Sequence, residues 1–114
     1  MVKRVSLVRR QAGASRRQFL DHWTGPHADI VQQLPGLRGM RLGVVEPPWT
    51  PPEALWDGVG ELWFDSIDDA AAAFASEPFP DLLAHDRAKF LGAAQSCFVR
   101  ELTVIAPPLA GPER

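Results

Sequence analysis

The opening stretch of the chain alternates in hydrophobic character. Over residues 3–10, Val5 and Leu7 fall on one side, and Arg4, Ser6 and Val8 on the other. That period of two predicts a strand. Residues 11–14 read as a turn. Ser15 followed by Gln18 has the form of a capping box, predicting a helix that runs to about Leu34 and stops at Pro35-Gly36. Residues 38–46 alternate again, Met40, Leu42 and Val44 against Arg41, Gly43 and Val45. Gly58–Phe64 predicts a third strand. Ser66 and Asp69 cap a helix over Ile67–Ala75. Glu77-Pro78 interrupts it, and Pro80 suits the first position of a further helix reaching about Leu91. Residues 96–105, rich in β-branched side chains, predict a fourth strand.

The order β-α-β-β-α-β is the ferredoxin-like pattern of the α+β class, with four antiparallel strands and helices on one face. The other face is then uncovered. Its apolar candidates are Val8, Val45, Leu62, Phe64, Phe98, Leu102 and Val104. A sheet with apolar residues on both faces needs a second layer. A second copy of the same sheet supplies it, so a two-fold homodimer is expected. The domain is expected over residues 1–106, with a Pro-rich tail at 107–114. A second Pro-rich stretch, residues 47–52, reads as a surface loop, with Trp49 in it and Trp56 just after it.

The first helix carries a misfit. Phe19, Trp23, His27, Ile30 and Leu34 are spaced 4, 4, 3 and 4, which places all five on one face. A histidine is thus drawn into an apolar stripe. It is either a core histidine bonded to a backbone carbonyl or an acid–base group beside a pocket. Gly25-Pro26 just before it predicts a kink or break between Thr24 and His27. Asp86 raises the same question. It shares a face with Leu82, Leu83 and Phe90, and a carboxylate there needs a partner such as His27 or Arg100. His85 falls on the wet side. Glu61 and Trp63 share a face of the third strand. If that face meets the helices, both line the same space as His27, whereas a salt bridge from Glu61 to Arg41 or Arg100 is the alternative. Trp23 and Trp63 are candidate flat walls for a planar ligand. Phe19, Phe90 and Ile30 join them as candidate substrate-binding residues.

Composition narrows the classes. The 114 residues are 46% hydrophobic and 23% charged, with a net charge of −2 and no run of like charge. Nucleic acid and anionic membrane are poor partners for such a chain. The longest apolar run, residues 70–75, is far short of a span of ~20 residues. The charged start does not resemble a signal peptide, and a cytoplasmic setting is expected. Cys97 is the single cysteine. His22 and His27 are five apart and would not share a face of a regular α-helix, so no metal site is expected. Phosphate-binding glycine loops, nucleophile elbows and dinucleotide fingerprints are missing.

Several segments resemble one known family. Phe19-Leu-Asp-His-Trp23-Thr-Gly-Pro-His27-Ala28 is similar to the Phe-x-x-x-(Tyr/His)-Trp-x-x-x-His-Ala signature of EthD-domain proteins. Pro35-Gly36-Leu37 matches that family's Leu-Pro-Gly step. Residues 57–65 resemble its Asp-Gly-x-Ala-Glu-x-Trp-Phe strand, with Gly60 where Ala is common. Asp86 and Phe90 match its Asp-x-x-x-Phe, and His22 stands where Tyr is common. The resemblance spans roughly residues 3–105. It implies a dimeric α/β-barrel fold with a ligand cavity between helices and sheet. It also implies roles for His27, Trp23, Glu61 and Asp86 at the family's positions. Functionally it implies accessory proteins of ether degradation, polyketide dehydratases, lactone isomerases or cofactor-free monooxygenases. The expectation is therefore a cofactor-independent acid–base enzyme on a small hydrophobic compound. His27 would be the base or acid, and Asp86 or Glu61 would orient it. A cofactor-free monooxygenase of an aromatic, or a non-catalytic small-molecule binder, are the alternatives.

Overall fold

The computed structural model describes residues 1–46 and 55–108. Four strands form one antiparallel sheet: β1 Val2–Arg10, β2 Gly39–Val44, β3 Gly58–Phe64 and β4 Leu91–Val99. Their order is β2-β3-β1-β4, so the two central strands are β1 and β3. The helical elements are α1 Arg16–His22, a π-helical turn at Trp23–His27, α2 Ala28–Val31, α3 Ile67–Ala75 and α4 Phe79–Arg87. The α+β ferredoxin-like architecture is as the alternation predicts. The Pro-rich stretch at 47–52, Trp49 and tail residues 109–114 lie outside the described residues.

Register decides which side chains meet the helices. Arg4 pairs with Leu62 and with Phe98, and Ser6 with Gly60 and with Ser96. Directly paired residues share a face. Val2, Arg4, Ser6 and Val8 therefore join Leu62 and Phe64 under the helices. The core lies there in two clusters. One packs Leu62 and Phe64 against Val31, Leu34, Ala70, Ala73, Phe79 and Leu83. The other packs Val8, Phe19, Trp23 and Phe90. Val8, Leu62 and Phe64, candidates for the uncovered face, are thus core residues. Phe98 also lies on the helix side, paired with Arg4. The helix-free face instead carries Val5, Leu7, Val59 and Val99, with Lys3, Glu61, Trp63 and Arg41 along its other half.

The fourth strand begins and ends earlier than its β-branched composition predicts. It covers Leu91–Val99, not residues 96–105. α4 correspondingly ends at Arg87 rather than near Leu91. The cause is pairing: Arg10 meets Leu91 and Lys3 meets Val99, and β1 has almost no residues left beyond that point. Available partners outweigh propensity here. Leu102, Val104 and Ile105 follow the strand 87–88% exposed.

Candidate functional site

The first helix does contain the capping box: Ser15 accepts from the Gln18 N–H, and the Gln18 side chain accepts from the Ser15 N–H. Pro26 does not break it. The helix widens into the π turn, which carries Pro26 inside. A π turn closes from i to i+5 and so absorbs one extra residue per turn. Two results follow. Residues five apart come to one side, so His22 and His27 both reach Asp86, contrary to the separation expected of a regular helix. The apolar stripe also slips by one position downstream: Val31 is buried and faces the sheet, while Ile30 is only partly buried.

Asp86 is 3% exposed, at the end of α4. His22 Nε2 lies 2.7 Å from its Oδ1, and His27 Nδ1 lies 2.6 Å from its Oδ2. The two imidazoles, not Arg100, are the partners it needs. The Phe90 ring packs against both, with centroids 4.7 Å from His22 and 5.0 Å from His27. Burial opposes the charge on Asp86, but the hydrogen bonds from His27 and His22 outweigh it and hold its pKa below the ordinary carboxylate value. For His27 the balance falls the other way. Burial lowers its pKa more than Asp86 raises it, and Arg87 and His22 lower it further. His27 is therefore mainly neutral at pH 7. A neutral ring facing a carboxylate through Nδ1 keeps its proton there and leaves Nε2 as a lone pair.

His27 borders a cavity of ≈ 300 Å³ between helices and sheet. Its roof is Trp23, His27 and Val31. Its floor comes from Arg4, Ser6 and Val8 of β1, Gly60 and Leu62 of β3, and Met40 and Leu42 of β2. Phe74, Phe90 and Arg87 complete its lining. Gly58 lets the Trp23 ring lie flat on the sheet: a Cβ there would come within 2.5 Å of that ring. Asp57, next to it, is gripped by Arg10, whose guanidinium lies 2.6 Å from Oδ1 and whose backbone N–H donates to Oδ2. The Asp57-Gly58 pair thus has a local structural reason.

Trp23, His27, Asp86 and Phe90 come together. Phe19 does not line the cavity; it is 1% exposed and stacks behind Trp23 at 5.7 Å. Ile30 packs against the neighbouring core cluster. Glu61 and Trp63 lie on the opposite face of the sheet, because their neighbours Leu62 and Phe64 take the helix side. There Lys3 bonds Glu61 at 2.6 Å and Glu101 at 2.8 Å, and the Trp63 indole N–H donates to Glu101. Glu61's partner is Lys3 rather than Arg41 or Arg100. His85 is exposed. Arg4, Ser6, Ser96 and Arg87 are cavity residues that the sequence reading passed over. Arg4 shares the alternation face of Val8, which was the available signal. Among the described residues no group of three or more His, Cys, Asp or Glu could hold a metal ion, and no helix is long and apolar enough to cross a membrane.

Comparison with known proteins agrees with this architecture. The chain is similar to an EthD family protein from Bacillus halodurans, with a TM-score of 0.72 and 22% identity, over 90% of this chain and 99% of that one. A dimeric ferredoxin-like protein of unknown function from Bacteroides fragilis matches with a TM-score of 0.64 and 14% identity, over 88% and 95% of the two chains. SnoaB, a cofactor-independent oxygenase from Streptomyces nogalater, matches with a TM-score of 0.62 and 15% identity, over 93% and 97%. Among curated proteins there is no significant match. The EthD domain model matches residues 11–94, a span that holds the π turn, Trp23, His27 and Asp86, and the chain therefore belongs to the EthD-domain family.

Proposed function

We propose that the chain is a cofactor-independent acid–base enzyme acting on a small hydrophobic, aromatic or polyketide-like compound bound between helices and sheet. The observation that carries this reading is the 2.6 Å contact of His27 Nδ1 with Asp86 Oδ2 beside the cavity. Asp86 fixes the tautomer and stabilises the imidazolium that forms when Nε2 takes a proton. His22 positions Asp86 from its other oxygen. Nε2 then returns the proton to another atom of the same ligand, giving isomerisation, dehydration or ring closure. Trp23 and Phe90 supply flat apolar walls, and one positioned acid–base group is worth about 10²–10⁴ in rate.

A small bicyclic ketone, 2-tetralone, tests it, because its C–H next to the carbonyl is acidic. In D₂O the protein should accelerate deuterium uptake at that carbon above the buffer rate, and His27→Gln should abolish the acceleration. Equal exchange by the folded variant would sink the reading. The structural likeness to SnoaB supports a second reading, oxygenation of an electron-rich aromatic after the same proton abstraction. Oxygen consumption with a hydroquinone-type substrate separates the two.

The second copy belongs to the same proposal. Val5, Leu7, Val59 and Val99 sit on the face that no helix among the described residues covers, and Leu102, Val104 and Ile105 extend bare beyond it. A homodimer that sets two such sheets face to face removes this surface from water.

A further inference from the structure

The charges around the cavity do not balance, and the imbalance has a place. Arg4 rises from β1 in the floor and is half-buried. Its guanidinium donates to Ser6 Oγ at 3.0 Å and lies 4.8 Å from the centroid of the Phe74 ring. Arg87 borders the same space. Among the described residues neither takes part in a salt bridge. Asp86, next to Arg87 in the chain, has both oxygens hydrogen-bonded to His22 and His27. Two guanidiniums thus stand against one occupied carboxylate, and among the described residues no Asp or Glu lines the cavity. Burial and the neighbouring Arg87 charge both lower the Arg4 pKa, the mark of a cation short of an anion.

A half-buried cation with a like charge beside it is an unfavourable arrangement unless an anion arrives. The Phe74 ring beside Arg4 compensates part of the lost hydration. Arginine forks match a carboxylate through two parallel N–H···O bonds, a geometry that lysine lacks. Ser6 Oγ and Ser96 Oγ, 2.8 Å apart, add hydroxyls to the same floor.

We propose that Arg4 and Arg87 form the anion-binding end of this cavity, and that the ligand is an apolar, ring-sized molecule carrying a carboxylate. The proposal builds on the reading of the cavity as the active site and adds the class of ligand. The carboxylate would sit on the Arg4 fork, and the apolar body would lie along Trp23 and Leu62 toward His27.

The test compares two probes of one shape, 2-naphthoate and its neutral counterpart 2-naphthamide, by calorimetric titration of the full chain. The carboxylate should bind at least tenfold more tightly, and the gap should narrow with added salt. Arg4→Gln should erase the gap while leaving the amide affinity in place. Arg87→Gln, at the cavity rim, should narrow it and keeps the test open if the Arg4 variant does not fold. Equal affinities for the two probes, a gap that survives both substitutions, or no binding of either probe would overturn the proposal. Deuterium exchange into 2-tetralone is followed in parallel. A carboxylate preference without exchange leaves the anion site standing and removes the proton-transfer reading. Exchange without a carboxylate preference removes the anion site alone.

Discussion

His27 Nδ1 lies 2.6 Å from Asp86 Oδ2, although the two residues are separated by 59 positions in the chain. The other oxygen of the same carboxylate is 2.7 Å from His22. The carboxylate is buried and held from both sides, so it has little freedom to move. If it orients His27 and stabilises its protonated form, Asp86→Asn should cost about 10²-fold or more in turnover while the variant stays folded. The amide can still accept from Nδ1–H but cannot balance an imidazolium. Asp86→Ala should in addition lower stability by about 1–3 kcal/mol, since two ring nitrogens lose their buried partner. Turnover and urea unfolding of both variants check this.

Acid should weaken the fold in two stages. His27 has a folded pKa below its unfolded value of about 6.5. Near that pH the unfolded chain binds more protons than the folded one, so stability rises with pH through this window and falls on acidification. Asp86 acts in the same direction at lower pH. Its depressed pKa contributes stability above the unfolded value of about 3.9, and that contribution is lost as pH falls below it. The urea midpoint, measured from pH 8 to pH 3, should drop first below about 6.5 and again below about 4. His27→Gln should flatten the first drop. The acid limb of kcat/KM should likewise lie below the ordinary histidine value.

Gly60 borders the cavity, and a Cβ there would stand 3.7 Å from Trp23 and 3.9 Å from Leu42, ordinary contact distances. Gly60→Ala should therefore fold normally and take up cavity space. Bulky ligands should lose affinity several-fold while small ones keep theirs. Titration with a one-ring and a two-ring probe reads the difference.

A charge at the centre of the helix-free face should break the proposed dimer. Val5 pairs with Glu61 on one side and Cys97 on the other, in the middle of that face. Light scattering should give twice the chain mass for the native protein and the chain mass for Val5→Asp. A native protein that is monomeric at micromolar concentration would remove the sheet-to-sheet arrangement.

Much of the fold is legible in the residues, and the losses have physical causes. The capping box at Ser15 places the start of the first helix, and the alternation places β1 to β3 within two residues, because local periodicity and local hydrogen bonds decide them; the helix stops at Val31 rather than Leu34. β4 is misplaced because Gly92, Ala93 and Ala94 carry no strand signature and are held in the sheet by β1 alone. Val31 replaces Ile30 in the buried stripe because a proline-bearing helix can add a residue to one turn, which a spacing count cannot register. The same extra residue joins His22 to Asp86. Glu61 and Trp63 fall on the far face because strand alternation fixes pairs of faces but not which one the helices cover. His27 and Asp86 are legible since each is a polar group in an apolar stripe. Arg4 was open to the same argument.

In the proposed mechanism His27 offers an unprotonated Nε2 to the cavity while Asp86 holds the proton on Nδ1. Nitrogen-15 correlation spectra of the imidazoles read this proton's position. At pH 7 His27 should show an Nδ1–H tautomer, and an Nε2 resonance that moves when 2-tetralone is added. A ring carrying its proton on Nε2, or doubly protonated at pH 7, with no response to the ketone would contradict it.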